Sequence, residues 1–259
     1  MHPVLLEVNQ NKIATLTINR PKARNALNWE AMHAFADAVE SAHDLPDLNA
    51  LIVTGKNGAF CAGGDLFELD NYPSRLDGAR LAAVMGDALA RLEELPCPTI
   101  AAIEGAAMGG GAEIALACDF RIMAESAIMG LVHIRLGISP AWGGGQRLLR
   151  LVGYARALYW ITVGRVLSAE EAFRSGIANR ITPDGTVLKN ALEFLAEILQ
   201  NGSEAIREIK RILRAGIMRP PHEAAELERK AFPGLWAAPA HLEASQRFVS
   251  KKKRRTQRA

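Results

Sequence analysis

Cysteine is scarce: Cys61, Cys97 and Cys118 are the whole supply. So small and odd a set cannot make the disulfide framework of a secreted domain, and it points to a reducing, cytoplasmic location. Aromatic residues are also few, at 6%. Trp29, Trp160 and Trp236 are scattered, so they read as core or interface residues rather than as platforms for stacking bases. No long uninterrupted apolar run is present. The most apolar stretch, 99–118, carries Glu104, Glu113 and several glycines. It makes a poor membrane span but a good buried strand followed by a buried helix, so no membrane association is expected. The opening residues, MHPVLLEVNQ, lack a positive n-region, an apolar core and a small-residue cleavage site, and no signal peptide is expected. No His/Cys/Asp/Glu group has metal-ligand spacing, so no metal is expected. Neither a G-x-G-x-x-G fingerprint nor a P-loop occurs, which argues against dinucleotides and nucleoside triphosphates.

What is present suits a large folded enzyme-sized chain. The 259 residues are 49% hydrophobic, and a chain of this length buries roughly 70–75% of the surface it exposes when unfolded. Disordered, collagenous and disulfide-scaffold classes are excluded. The formal charge of +3 is deceptive. The last nine residues, KKKRRTQRA, hold six cations and no acid, so removing them takes the balance to −3. A nucleic-acid reading would rest on that tail alone.

Hydrophobic periodicity gives a coarse order of elements. Ile13–Ile18 (IATLTI) alternates like a half-buried strand, and Asn28 is placed to cap a helix from about Trp29 to His43. Ala50–Thr54, Thr99–Ile103 and Phe120–Met123 read as strands, and Leu76–Leu95 reads as a helix stopped by Pro96. The stretch 137–145 is a Gly-rich loop. Ser168 to Glu171 is a capping-box signature. Four helices are expected after it: 187–200, 204–215, 223–230 and 240–248. Strands and helices come first and mostly helices follow, so the class is α/β with a helical C-terminal part. The division is expected near Pro183, giving 1–183, 184–250 and the basic tail 251–259.

Two turns look built for chemistry. Each joins a strand to a helix: Phe60-Cys61-Ala62-Gly63-Gly64-Asp65, and Gly105 through Glu113 with Gly109-Gly110-Gly111 at its centre. Glycines at a helix start leave backbone N–H groups bare and admit a ligand closely. Facing each other, two such turns would form an oxyanion hole for an enolate-like transition state. Gly110 and Glu113 are three apart, on one helical face, so an N–H and a carboxylate could serve the same ligand, one polarising a carbonyl and the other moving a proton. Tight helix packing is the plainer use of such glycines. Glu113, in an otherwise apolar helix, is either a buried functional acid or a partner for some arginine. Cys61 has no neighbour to activate it and reads as a small buried residue. Asp65 most simply caps the next helix.

The chain resembles the crotonase superfamily, the enoyl-CoA hydratase/isomerase family. Four segments carry the resemblance: NRPKARNAL (19–27), LIVTGKNGAFCAGGDL (51–66), AAIEGAAMGGGAEIALACDFRI (101–122) and LGISPAWGGGQRLLRLVG (136–153). It implies a spiral of ββα units with a helical C-terminal part that trimerises, often as a hexamer built from two trimers. It also implies an acyl-CoA thioester substrate and no cofactor beyond the coenzyme A that the substrate carries. Gly64 and Gly110 would supply the oxyanion-hole N–H groups, and backbone around Ala62, Gly64 and Asp65 would lie along the coenzyme. Lys22 and Arg24 are candidate phosphate partners, since charge-assisted contacts need cations; the other reading is two solvated surface charges.

Glu113 falls on the first of the two glutamates that hydratases of this family use, whereas His133 occupies the place of the second. Hydration is easiest with one group activating water and another delivering a proton, so the departure bears on the reaction. Imidazole can replace a carboxylate as acid/base, or His133 can be a packed residue. The run GGGAE, ACDFR, Val132-His133 and Pro140-Ala141-Trp142-Gly143-Gly144 resembles the ethylmalonyl-CoA decarboxylase branch more closely. There a second carboxylate is unnecessary because the substrate brings its own. Trp142 would pack over the acyl pocket, or simply fill a loop. A non-catalytic acyl-CoA-binding protein and an RNA-binding role for the tail are the alternatives from other classes.

Overall fold

Alternation builds the first sheet. Along Ile13–Ile18 the side chains of Ala14, Leu16 and Ile18 share one buried face, while Thr15 and Thr17 on the other face are half-buried, as a strand with one fully covered face requires. The computed structural model describes residues 2–256, with side chains described through 250. A six-stranded sheet runs in the order β1 (Val4–Val8), β2 (Ile13–Ile18), β3 (Ala50–Gly55), β4 (Thr99–Ile103), β6 (Phe120–Ala124) and β9 (Arg180–Thr182). The β1–β2 pair is antiparallel and every later pair is parallel. A smaller sheet holds β5 (Ala106–Met108), β7 (Ile128–Gly130) and β8 (Leu167–Ser168).

The helices follow a repeated path. They are α1 (Trp29–His43), α2 (Leu66–Leu69), α3 (Arg75–Glu94), α4 (Gly110–Ala117), α5 (Gly144–Val152), α6 (Tyr154–Val163), α7 (Ala169–Arg174) and α8 (Val187–Leu199). After β4 the chain adds β5 to the small sheet and enters α4. After β6 it adds β7 and reaches α5 through a 3-10 turn, His133–Leu136. An isolated bridge between Cys61 and Ala107 marks the same step after β3. Each turn of this spiral therefore delivers a strand end, a short second strand and a helix N-terminus to one region.

Local signals account for the elements. The Asn28 side chain accepts from the Ala31 N–H at 3.0 Å and starts α1; Ser168 and Glu171 form the expected capping box at α7. A second capping box, Ser74 with Asp77, opens α3. All eight residues of α4 are buried, as expected for a helix apolar on every face apart from Glu113.

Three features depart from the sequence expectations. A strand, β1, precedes the first one expected and pairs with it as a hairpin. The helices near the C-terminus are longer than their periodic cores: α9 (Ser203–Met218), α10 (Pro221–Ala237) and α11 (Pro239–Thr256). Pro233 lies inside α10, a position that forfeits one backbone hydrogen bond but does not end the helix. The structure divides between Ala196 and Glu197 into two compact units, beyond Pro183, because α8 buries Val187, Ala191 and Leu195. In the second unit α9 packs on α10 and α10 on α11. Side chains of the basic tail, 251–259, lie outside the described residues.

Candidate active site

The two glycine turns meet. Cys61 N–H donates to Ala106 O at 3.0 Å and Met108 N–H donates to Cys61 O at 2.9 Å, so the segments are zipped side by side. The fit tolerates no side chain at two places. A Cβ on Gly63, whose φ is +97°, would fall 2.9 Å from Met108 O and 3.1 Å from the Gly110 nitrogen. One on Gly111 would fall 2.1 Å from Cys61 O. Leu27 holds the outer edge, donating to Gly63 O and accepting from Asp65 N–H, both at 2.8 Å. Gly64 follows Gly63 directly, and Gly110 opens α4, where the first N–H groups have no intrahelical partner. Among the described residues, neither the Gly64 nor the Gly110 N–H donates to a protein acceptor.

Glu113 sits one turn into α4 and is 1% exposed. Its Oε1 accepts from the backbone N–H groups of Trp142 and Gly144, each at 2.9 Å. Its Oε2 lies 3.1 Å from His133 Nε2. The pair is chemically asymmetric: one carboxylate oxygen is saturated by amides, and the other is the one open to proton exchange. His133 begins the 3-10 turn after β7, and its side chain is 12% exposed. With Nε2–H donating to Glu113, the remaining ring nitrogen, Nδ1, is buried without a partner among the described residues. Nε2 also lies 3.9 Å from the place a Cβ would take on Gly109, so the dyad borders the Gly109–Gly110 peptide.

Trp142 closes another side. Its indole rests on Gly110, where an added Cβ would come within 2.0 Å of the ring, and the residue is 5% exposed. Burial pushes the Cys61 thiol up to about 12, against a smaller lowering influence from the Gly63 N–H, so this cysteine is not a nucleophile.

Known proteins of one family are similar to this chain over nearly its whole length. The family model for enoyl-CoA hydratase/isomerase matches residues 8–257. A crotonyl-CoA hydratase from Syntrophomonas wolfei is 36% identical over 251 residues, covering 96% of each chain. An ethylmalonyl-CoA decarboxylase from Rattus norvegicus is 34% identical over 242 residues, 92% of this chain and 81% of the relative. The crystal structure of an enoyl-CoA hydratase from Bacillus anthracis superposes with a TM-score of 0.90 at 33% identity, covering 96% of each chain. The chain belongs to the enoyl-CoA hydratase/isomerase family.

As a member of that crotonase superfamily it is an enzyme with the expected spiral fold. Among the described residues no helix is long and apolar enough to cross a membrane, and no group of three or more His, Cys, Asp or Glu residues could hold a metal. The fold gathers Gly110, Glu113, His133 and Trp142, with Gly63 against the Gly110 nitrogen and Gly64 next to it in the chain. Lys22 and Arg24 stand nearby on the exposed 3-10 turn after β2, tied to the glycine turn because Ala62 N–H donates to Arg24 O at 3.2 Å.

One expectation needs correction. Asp65 occupies the N-cap position of α2, yet its side chain makes no cap bond; it pairs with Arg20 at 2.9 Å, because a cation beside it outcompetes a neutral amide. Both oxygens of Glu113 are engaged, Oε1 by the 142–144 loop and Oε2 by His133.

Sequence reasoning passed over Gly144, Arg147 and Glu93. A Cβ on Gly144 would fall 2.4 Å from Glu113 Cγ, so the glycine admits the acid. Arg147 N–H groups donate to Trp142 O at 2.6 Å and to Glu93 Oε2 at 2.8 and 3.1 Å. Spacing along the chain offers no sign of the Glu93 contact, because 54 residues separate the partners.

Proposed function

We propose that this enzyme decarboxylates an alkylmalonyl-CoA, such as ethylmalonyl- or methylmalonyl-CoA, through a thioester enolate. The observation that carries the reading is the 3.1 Å contact between His133 Nε2 and Glu113 Oε2. The two groups contact each other directly, and the pair offers one carboxylate where hydration is best served by two independent groups.

The thioester oxygen takes hydrogen bonds from the Gly64 and Gly110 N–H groups, each donor worth about 3 kcal/mol to the developing enolate. The bond between the α-carbon and the substrate carboxylate breaks, its electron pair enters the enolate, and CO₂ leaves. The α-carbon then takes a proton from the Glu113–His133 dyad, and solvent restores that proton. Polarisation comes from amides and proton transfer from the dyad, so the reaction asks for no cofactor beyond the coenzyme A of the substrate. Coenzyme phosphates meet Lys22 and Arg24, with Ala62, Gly64 and the Arg20-held Asp65 lining the approach.

The decisive assay supplies ethylmalonyl-CoA and methylmalonyl-CoA and follows CO₂, and in parallel supplies crotonyl-CoA and follows loss of the conjugated thioester absorbance. CO₂ release is expected. Crotonyl-CoA turnover at ordinary hydratase rates without CO₂ would sink the decarboxylase reading and leave hydration, the activity named for the Syntrophomonas wolfei relative. Acyl-CoA binding with no turnover on either substrate would mark a protein that only binds.

The working form we propose is a homotrimer, alone or paired as a hexamer. Ile209, Leu213 and Ile217 form an exposed stripe at four-residue spacing on α9, and Phe232 and Trp236 are exposed on α10. A patch of this kind suits a second copy of the chain. The three free cysteines are all buried, which is compatible with the cytoplasm.

A further inference from the structure

Arg147 is a buried cation that the proposed chemistry does not use. It lies on the first turn of α5, with a side chain 7% exposed. A guanidinium in such a place is costly unless every donor is matched, and here the matching is directional. Nε and Nη2 donate to Glu93 on α3, and Nη1 donates to the Trp142 carbonyl at 2.6 Å. Arg150 donates to the other oxygen of Glu93 at 3.2 Å, which fixes the anion in turn.

Trp142 and Gly144 are the two residues whose N–H groups hold Glu113 Oε1. The loop carrying them has room for Arg147 only because residue 143 is glycine: its φ is +89°, and a Cβ there would fall 2.7 Å from Arg147 Nη1. Gly143 O accepts the first backbone bond of α5, from the Arg147 N–H at 3.1 Å, so the helix start holds Gly143 while the Arg147 side chain holds Trp142 O. A continuous path results, from Glu93 to Arg147, to the 142–144 loop, to Glu113 Oε1, and across the carboxylate to Oε2 and His133.

We infer that Arg147 is a positioning residue: it sets the 142–144 loop, which orients Glu113 so that Oε2 alone faces His133 and seats the Trp142 indole on Gly110. The inference rests on the acid/base role of the Glu113–His133 pair. Arg147 touches no reacting atom. Its removal leaves the glycine turns and the cations near Lys22 in place, so turnover falls while substrate affinity holds.

The test compares Arg147→Met, Arg147→Lys, Glu93→Gln and Glu113→Gln in the full chain, with melting temperature, kcat and KM measured on whichever acyl-CoA the parent turns over. For Arg147→Met, kcat is expected to fall by about 10²-fold, the penalty of an ångström-scale misplacement, with KM changed little. Arg147→Lys, which keeps a donor for Trp142 O, should recover part of the loss. Glu93→Gln should show a smaller fall in kcat with the same unchanged KM. A folded Arg147→Met with parental kcat, beside an inactive Glu113→Gln, overturns the positioning role and leaves the acid/base reading standing. Parental kcat in Glu113→Gln overturns both. Should Arg147→Met fail to fold, Arg147→Lys and Glu93→Gln decide: parental kcat in both is fatal to the inference, and a kcat-only loss supports it.

Discussion

Glu113 illustrates how much one side chain depends on small neighbours. Its carboxylate is buried, so each oxygen must be matched, and Oε1 is matched by amides that approach only because residue 144 has no Cβ. Glu113→Gln removes the exchangeable acid while keeping the shape; a rate loss of about 10²–10⁴-fold is expected if the group transfers the proton, and single-turnover kinetics on the active substrate measure it. Gly144→Ala drives a methyl into Glu113 Cγ. That overpacking should cost about 1–3 kcal/mol of stability, read as a lowered denaturant midpoint, together with loss of turnover.

Cys61 makes the opposite point, a reactive residue type made inert by its surroundings. Burial raises the thiol from 9.0 to about 12. The folded chain then holds this proton where the unfolded chain releases it, so the group costs nothing below pH 9 and opposes folding increasingly as pH rises from 9 toward 12. Thiol titration at pH 8 should find almost no reactive cysteine in the native protein and three after unfolding in urea.

At the scale of elements, α4 governs the site. Its N-terminus carries Gly110 and Glu113, and its far end is held by a buried cation. Arg121 donates to the carbonyls of Cys118 at 2.8 Å, Ala115 at 3.4 Å and Ile177 at 2.5 Å, satisfying carbonyls left over where the helix stops. Burial lowers the pKa of this guanidinium. Arg121→Met should strand those acceptors and destabilise the fold by about 1–3 kcal/mol, measured by chemical denaturation.

Asn25 plays a similar part between β2 and β3. It is fully buried with φ +58°, a conformation asparagine adopts more readily than most residues. Its side chain donates to Lys56 O at 2.9 Å and Ala59 O at 2.7 Å and accepts from Arg20 N–H at 2.9 Å. It thereby ties the turn bearing Lys22 and Arg24 to the approach of the Cys61 turn.

On the scale of the whole molecule, two properties decide how the enzyme works. The first is the distribution of charge: without the tail the chain carries −3, and in the proposed reaction the developing negative charge is met by backbone dipoles rather than by side-chain cations. Lys22 and Arg24 are exposed cations at the edge of that site. Replacing both with alanine should raise KM for the acyl-CoA several-fold, leave kcat nearly unchanged, and reduce the salt dependence of KM, since exposed charge pairs are screened by ions. The second is assembly. The exposed apolar stripe of α9 should be covered in solution, and light scattering should report three or six times the chain mass. A monomer at micromolar concentration would contradict the proposed trimer.

The sequence by itself determined part of the element order and most of the parts list. Periodicity placed β2, β3, β4 and β6, capping chemistry placed the starts of α1 and α7, and the glycine turns with Glu113 marked a candidate site, whereas His133 came into view only through the family resemblance. Apart from that resemblance, these are short-range signals, written within one turn or one strand. The tertiary structure decided the rest. Which oxygen of Glu113 meets His133, why Asp65 turns to Arg20 instead of capping α2, and how Arg147 reaches Glu93 are all settled by contacts across 20 to 54 residues. No local pattern encodes such contacts. They exist only because the spiral returns successive helix starts to one place, and there packing and hydrogen-bond satisfaction choose the partners.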